Sequence, residues 1–137
     1  MKRIEYFHVI AELFAFKTIL DERGNEYVVF QNSVCENLSD IENKTAFEAL
    51  ENHVHLLDNI KKREFEPLSH IAEDLSQTLL NSLKFHYPNK KFYVYATVHR
   101  HDSFIIRFHQ NWEDEVPYMD PNLFVDHSRE RVIMLAG

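Results

Sequence analysis

One cysteine, two glycines and four prolines in 137 residues set the first limits on this chain. A lone Cys35 cannot close an intrachain disulfide, and by itself it cannot build a thiolate zinc cage. It sits in a polar stretch beside Glu36, a neighbour that disfavours the thiolate. Gly24 and Gly137 stand far apart, so no glycine-rich loop is available to cradle a phosphate. Collagen-like, glycine-linker and proline-rich architectures are excluded by the same scarcity. No apolar run approaches the roughly 18 residues of a membrane helix, and Val132 to Ala136, one of the longest, is only strand-sized. Basic charge is also in deficit. Fifteen Lys and Arg stand against 22 Asp and Glu, a formal net charge of -7. A general binder of nucleic-acid backbones needs the opposite balance, so nucleic acid is not an expected partner. Lys2 and Arg3 are followed by Glu5, His8 and Glu12, which interrupt any secretory apolar segment. A cytoplasmic location without membrane contact is the resulting expectation.

What the chain does have is apolar mass. Hydrophobic residues make up 45%, including 11 Phe, 6 Tyr and 1 Trp, enough to oppose disorder and to fill one core. No repeat or low-complexity linker divides the sequence, which reads as one domain over 1–137.

Ile4, Phe7, Ala11 and Phe14 recur with helical spacing and predict a helix to about Ala15. Phe16 to Leu20 and Tyr27 to Phe30 read as paired strands, joined by a turn in which Gly24 can take a positive φ. Thr45 and Glu48 have the spacing of a capping box, predicting a helix whose stripe is Phe47, Leu50, Val54, Leu57 and Ile60. Lys61, Lys62 and Arg63 would close that helix against its dipole. A further helix opens at Pro67 and carries Leu68, Ile71, Ala72, Leu75, Leu79 and Leu83 on one face to about Phe85. The clearest strand runs over 91–100, with Phe92, Val94, Ala96 and Val98 on one side and Tyr93, Tyr95, Thr97 and His99 on the other. A turn at His101, Asp102 and Ser103 leads into a strand whose Phe104, Ile106 and Phe108 face the helices. Arg131 to Leu135 adds another strand. The order predicts an α+β fold, with helices packed on one face of a largely antiparallel sheet of three or more strands.

Chemistry-bearing side chains gather at two places. Around the hairpin lie His99, His101, Asp102, Arg107 and His109. His99 and His101 would share a face if the strand persisted, but no metal-binding spacing motif is present and no cofactor or metal is expected. His53 and His55, about 200 degrees apart on the predicted helix, are poor partners for one ligand. His8, His70, His86 and His127 lack local constellations, and Ser103 beside His101 and Asp102 is adjacency rather than a triad.

The second place lies beyond the hairpin. Glu113, Asp114, Glu115, Asp120 and Asp126 occur without a Lys or Arg among Trp112, Val116, Pro117, Tyr118, Met119 and Phe124. Aromatic contact area ringed by carboxylates suits a basic protein partner. The expected function is therefore a protein-interaction domain, inhibitory or regulatory, that occludes a basic partner through Trp112, Glu113, Asp114, Glu115, Tyr118, Asp120 and Phe124. The alternative is a small hydrolase or nuclease in which His99 and His109 exchange protons and Arg107 stabilises anionic charge. Tyr93 and Tyr95, if uncovered, would offer a homodimer face.

Overall fold

Strict alternation in the last third of the sequence becomes the centre of the molecule. The computed structural model describes residues 3–35, 38–39, 41–124 and 129–137. Among them the chain forms α1 (Arg3–Glu12), β1 (Phe16–Leu20), β2 (Glu26–Phe30), α2 (Lys44–Glu51), β3 (His53–Asp58), α3 (Phe65–His86), β4 (Phe92–His99), β5 (Ser103–Gln110) and β6 (Glu130–Ala136). The fold is α+β. One antiparallel sheet has the order β3-β5-β4-β6, and β1 and β2 make a separate hairpin. No helix among the described residues is long and apolar enough to cross a membrane.

The core lies between α3 and the larger sheet. Leu68, Ala72, Leu79 and Leu83 of α3 belong to one buried cluster with Val94, Ala96, Ile106 and Phe108. The period of two in β4 and β5 matches the helical stripe of α3, so both elements lose their apolar faces to each other. Phe16 and Phe30 bring the small hairpin onto this core, their ring centroids 5.7 and 5.0 Å from that of Phe108. Its turn is fixed by Asp21, whose carboxylate accepts from the backbone N–H groups of Arg23 and Asn25, from the Asn25 amide and from the Tyr27 hydroxyl. Burial pushes that carboxyl up, but these hydrogen bonds outweigh it and bring its pKa down to about 2. Gly24 has φ 83, as a hairpin turn there demands.

The helix expected from Thr45 onward is only half present. It stops at Glu51, and His53–Asp58 pair antiparallel with β5 instead, Val54 opposite Ile106 and His53 opposite Arg107. Asn52 makes the break. It is fully buried, its side-chain oxygen accepts from the Phe30 N–H, and its amide donates to the Val28 carbonyl. Its own carbonyl accepts from the Phe108 N–H. A residue serving two strands in this way cannot continue a helix, and the free edge of β5 captures residues 53–58. Phe47, Leu50, Val54 and Leu57 are therefore not one helical stripe.

Other boundaries move for local reasons. Asn43, not Thr45, is the N-cap of α2, its side chain accepting from the Ala46 N–H. Lys62–Glu64 form a 3-10 turn that leads into α3 rather than the end of α2. α3 opens at Phe65, which puts Pro67 inside the first turn, where its missing N–H still costs nothing. α1 ends at Glu12 and leaves Ile4 and Phe7 exposed, while Leu13 just beyond it is buried. Asp126, His127 and Glu36 lie outside the described residues.

Candidate functional site

The segment 111–124 leaves the end of β5 and crosses the sheet face that α3 does not cover. Its anchorage begins with Glu48, a carboxylate on α2 that is fully buried. Oε1 accepts from the Gln110 N–H at 2.9 Å and from the Trp112 indole N–H at 2.7 Å. Oε2 accepts from the Val28 N–H at 2.9 Å and from the Gln110 amide at 2.8 Å. Four donors converge on one acceptor-only group and tie α2, β2, β5 and the crossing segment together. Burial pushes the Glu48 carboxyl up to about 7, although the hydrogen bonds from Gln110, Val28 and Trp112 pull the other way.

Trp112 is thereby turned inward. Its ring lies 5.4 Å from that of Tyr27 and has the Lys44 ammonium 5.0 Å from its centroid. Three residues on, the Glu115 carboxylate accepts from the N–H groups of Lys44 at 3.0 Å and Thr45 at 2.6 Å, two groups that the first turn of α2 leaves unpaired. Burial works to raise its pKa, but hydrogen bonds from Thr45 and Lys44 prevail and hold the carboxyl below the usual range. Tyr118 supplies the third anchor, its backbone N–H donating to His109 Nε2 at 3.2 Å. The Arg107 guanidinium lies 5.0 Å from the Tyr118 ring centroid. Asp120 closes a short turn by accepting from the Asn122 N–H.

Of the expected contact residues, then, Trp112 and Glu115 are engaged within the chain and Phe124 is half-buried. Glu113, Asp114 and Asp120 are exposed, and Tyr118 keeps 37% of its surface. The outermost apolar groups are aliphatic, Val116 at 81% and Leu123 at 76% exposure. Beside Val116 a shallow hollow of about 360 Å³ is lined by Val116, Pro117, Met119, Asp120, Pro121 and Met134.

The three residues of the hydrolytic alternative do not converge. His109 is 1% exposed, and its Nδ1 faces the Gln110 carbonyl at 2.7 Å. Because Nε2 accepts from a backbone N–H, Nδ1 carries the proton and the ring is a neutral structural group. The Tyr95 hydroxyl also reaches Nε2, at 3.0 Å, and burial pushes the His109 pKa down. Arg107 pairs across the ladder with Tyr95, four positions before His99. Four strand residues place His99 about 13 Å further along the sheet. Tyr95 is itself sealed beneath this layer, while Tyr93 of the face expected for a homodimer stays half-buried.

His53 and His55 differ from expectation in the other direction. On a strand they share a face, with ring centroids 5.6 Å apart. Leu50 O and the Asp58 carboxylate engage their Nδ1 atoms. They remain a pair: among the described residues no three His, Cys, Asp or Glu are placed to hold a metal ion. Cys35 is half-buried, and burial together with Glu51 raises its thiol pKa against the opposing effect of Lys17.

Glu48 is the residue whose importance the sequence hid, since its spacing from Thr45 gave it a capping role. A glutamate that meets a strand N–H on one side and an inward Trp on the other leaves no periodic signal. Comparison of the chain with protein-family models, with curated proteins and with solved structures finds no match.

Proposed function

We propose that the protein is a binding domain whose surface, built on residues 113–123, docks a basic protein partner and masks it. The observation that supports this reading is a division of labour within one segment. Trp112, Glu115 and Tyr118 fasten it from beneath, while Val116 and Leu123 face solvent among Glu113, Asp114 and Asp120. A loop already held in place gives up little freedom on binding. Carboxylates unaccompanied by Lys or Arg in this segment favour encounter with a cationic surface, and the aliphatic groups then lose water in the contact. A second copy suits this surface poorly, because it would bring the same carboxylates against one another.

A lysine/leucine amphipathic peptide and its glutamate/leucine counterpart provide the test. The cationic peptide is expected to bind with salt-sensitive association and to shift the amide resonances of 113–123, and the anionic one is not. Glu113→Lys combined with Asp114→Lys should slow association about tenfold or more. Val116→Ser with Leu123→Ser should hasten dissociation. Unchanged rates in both double variants would remove the surface from the account.

A further inference from the structure

His53 and His55, which a helix would hold on opposite sides, share one face of the edge strand β3. They lie opposite Arg107 and Ile105 of β5, on the sheet face that α3 does not cover. In a regular strand Asp58, three residues beyond His55, would point the other way. The register shift between His55 and Leu57 changes that. Asp58 stands opposite Ser103, two positions from Ile105, so the extra residue returns it to the histidine face. Its carboxylate meets His55 Nδ1 at 3.2 Å. His53 Nδ1 meets the Leu50 carbonyl at 2.6 Å, one of the acceptors that the end of α2 leaves without an intrahelical partner.

These contacts set the state of both rings. A carbonyl and a carboxylate only accept, so in the neutral imidazole each Nδ1 carries the proton and each Nε2 keeps its lone pair. Metal-binding histidines are held in this way, one nitrogen on the ion and the other donating to a carboxylate or a backbone carbonyl. The spacing discriminates further. An ion about 2.0 to 2.1 Å from Nε2 lies about 3.2 Å from the ring centroid, so a tetrahedral angle sets two centroids about 5.2 Å apart and a right angle about 4.5 Å. The observed separation is 5.6 Å, with the rings inclined by 71°. A tetrahedral ion fits better than a tetragonal one. Arg107, the cation opposite His53, has its guanidinium 5.0 Å from the Tyr118 ring centroid and 3.4 Å from the Ala49 carbonyl.

We propose that His53 and His55 bind Zn2+ through their Nε2 atoms, with Asp58 as a positioning residue and water completing the tetrahedron. Two protein ligands make a weaker site than three or four, and they leave places open to a donor from another molecule. Imidazole favours this ion over Mg2+, which keeps oxygen ligands.

Calorimetry and imidazole 1H–15N spectra of the full chain, stripped of metal with a chelator and titrated with ZnCl2 or MgCl2, test the assignment. Before zinc is added, both rings should report the Nδ1–H tautomer. Zn2+ is expected to bind once per chain with a Kd below about 100 µM and to shift both Nε2 resonances, and Mg2+ is not. His53→Gln and His55→Gln should each weaken binding about thirtyfold or more. Asp58→Asn should weaken it about tenfold and move the His55 ring, but not the His53 ring, toward the Nε2–H tautomer. All three side chains are exposed, so the variants leave the core resonances in place. Absence of saturation at 1 mM ZnCl2, roughly ten times the expected Kd, overturns the proposal, as does full zinc affinity in both histidine variants.

Discussion

Three buried polar side chains decide more of this structure than any apolar one. Glu48, Asn52 and His109 each offer hydrogen-bonding atoms that only distant segments can satisfy. Their partners also limit what can replace them. Glu48 meets donors alone, so Glu48→Gln would turn an amide N–H toward an N–H. Leaving a buried donor without an acceptor costs about 1 to 3 kcal/mol. Urea unfolding at neutral pH should show that loss with an unchanged denaturant slope, and equal stability would mean that the four contacts carry no net weight. None of the three residues declared its role in the sequence. Glu48 read as a helix cap and His109 as an acid–base group, and Asn52 lay inside an expected helix, because each role depends on a partner that folding brings from another element.

At the scale of elements, legibility followed self-sufficiency. α3, β4 and β5 carry a full apolar period of their own, and they formed where the pattern placed them. The region from Thr45 to Ile60 satisfies a helical period and a strand alternation at once. The free edge of β5 selected the strand for its second half. The crossing segment is the other case, since its acids and aromatics look alike on paper and face opposite ways in space. Glu115 shows the consequence: it serves as a second cap on α2. Glu115→Ala should cost about 1 to 2 kcal/mol and accelerate amide exchange at Lys44 and Thr45, with α3 amides unaffected. Unaltered exchange at those two amides would show that α2 holds its first turn without this carboxylate.

For the whole molecule, the buried groups predict how stability varies with pH. Glu48 titrates from an ordinary value of 4.5 in the unfolded chain to about 7 in the folded one. Its contribution is complete below 4.5 and is lost as pH rises through 7. With each pKa unit equal to about 1.4 kcal/mol, the loss is on the order of 3 kcal/mol. His109 has the opposite sign, because its folded pKa lies below the ordinary 6.5. Its contribution is present above 6.5 and is lost as pH falls. Asp21, held down to about 2 from 3.8, adds a second loss on the acid side. Thermal stability of the native chain should therefore fall as pH rises from about 6.5 through 7 and level off above that. In Glu48→Gln that decline should vanish and leave stability rising with pH up to about 6.5. Persistence of the decline in the variant would assign it to another group.

Composition, charge and periodicity were enough to determine an α+β chain with one long amphipathic helix against an antiparallel sheet, because burying apolar faces depends on local spacing. Which carboxylates face water, where the second helix stops and which histidines share a strand face were decided only by tertiary structure. A polar side chain's role is set by the donor or acceptor that packing brings to it, and that partner lies too far along the chain for any local pattern to reveal.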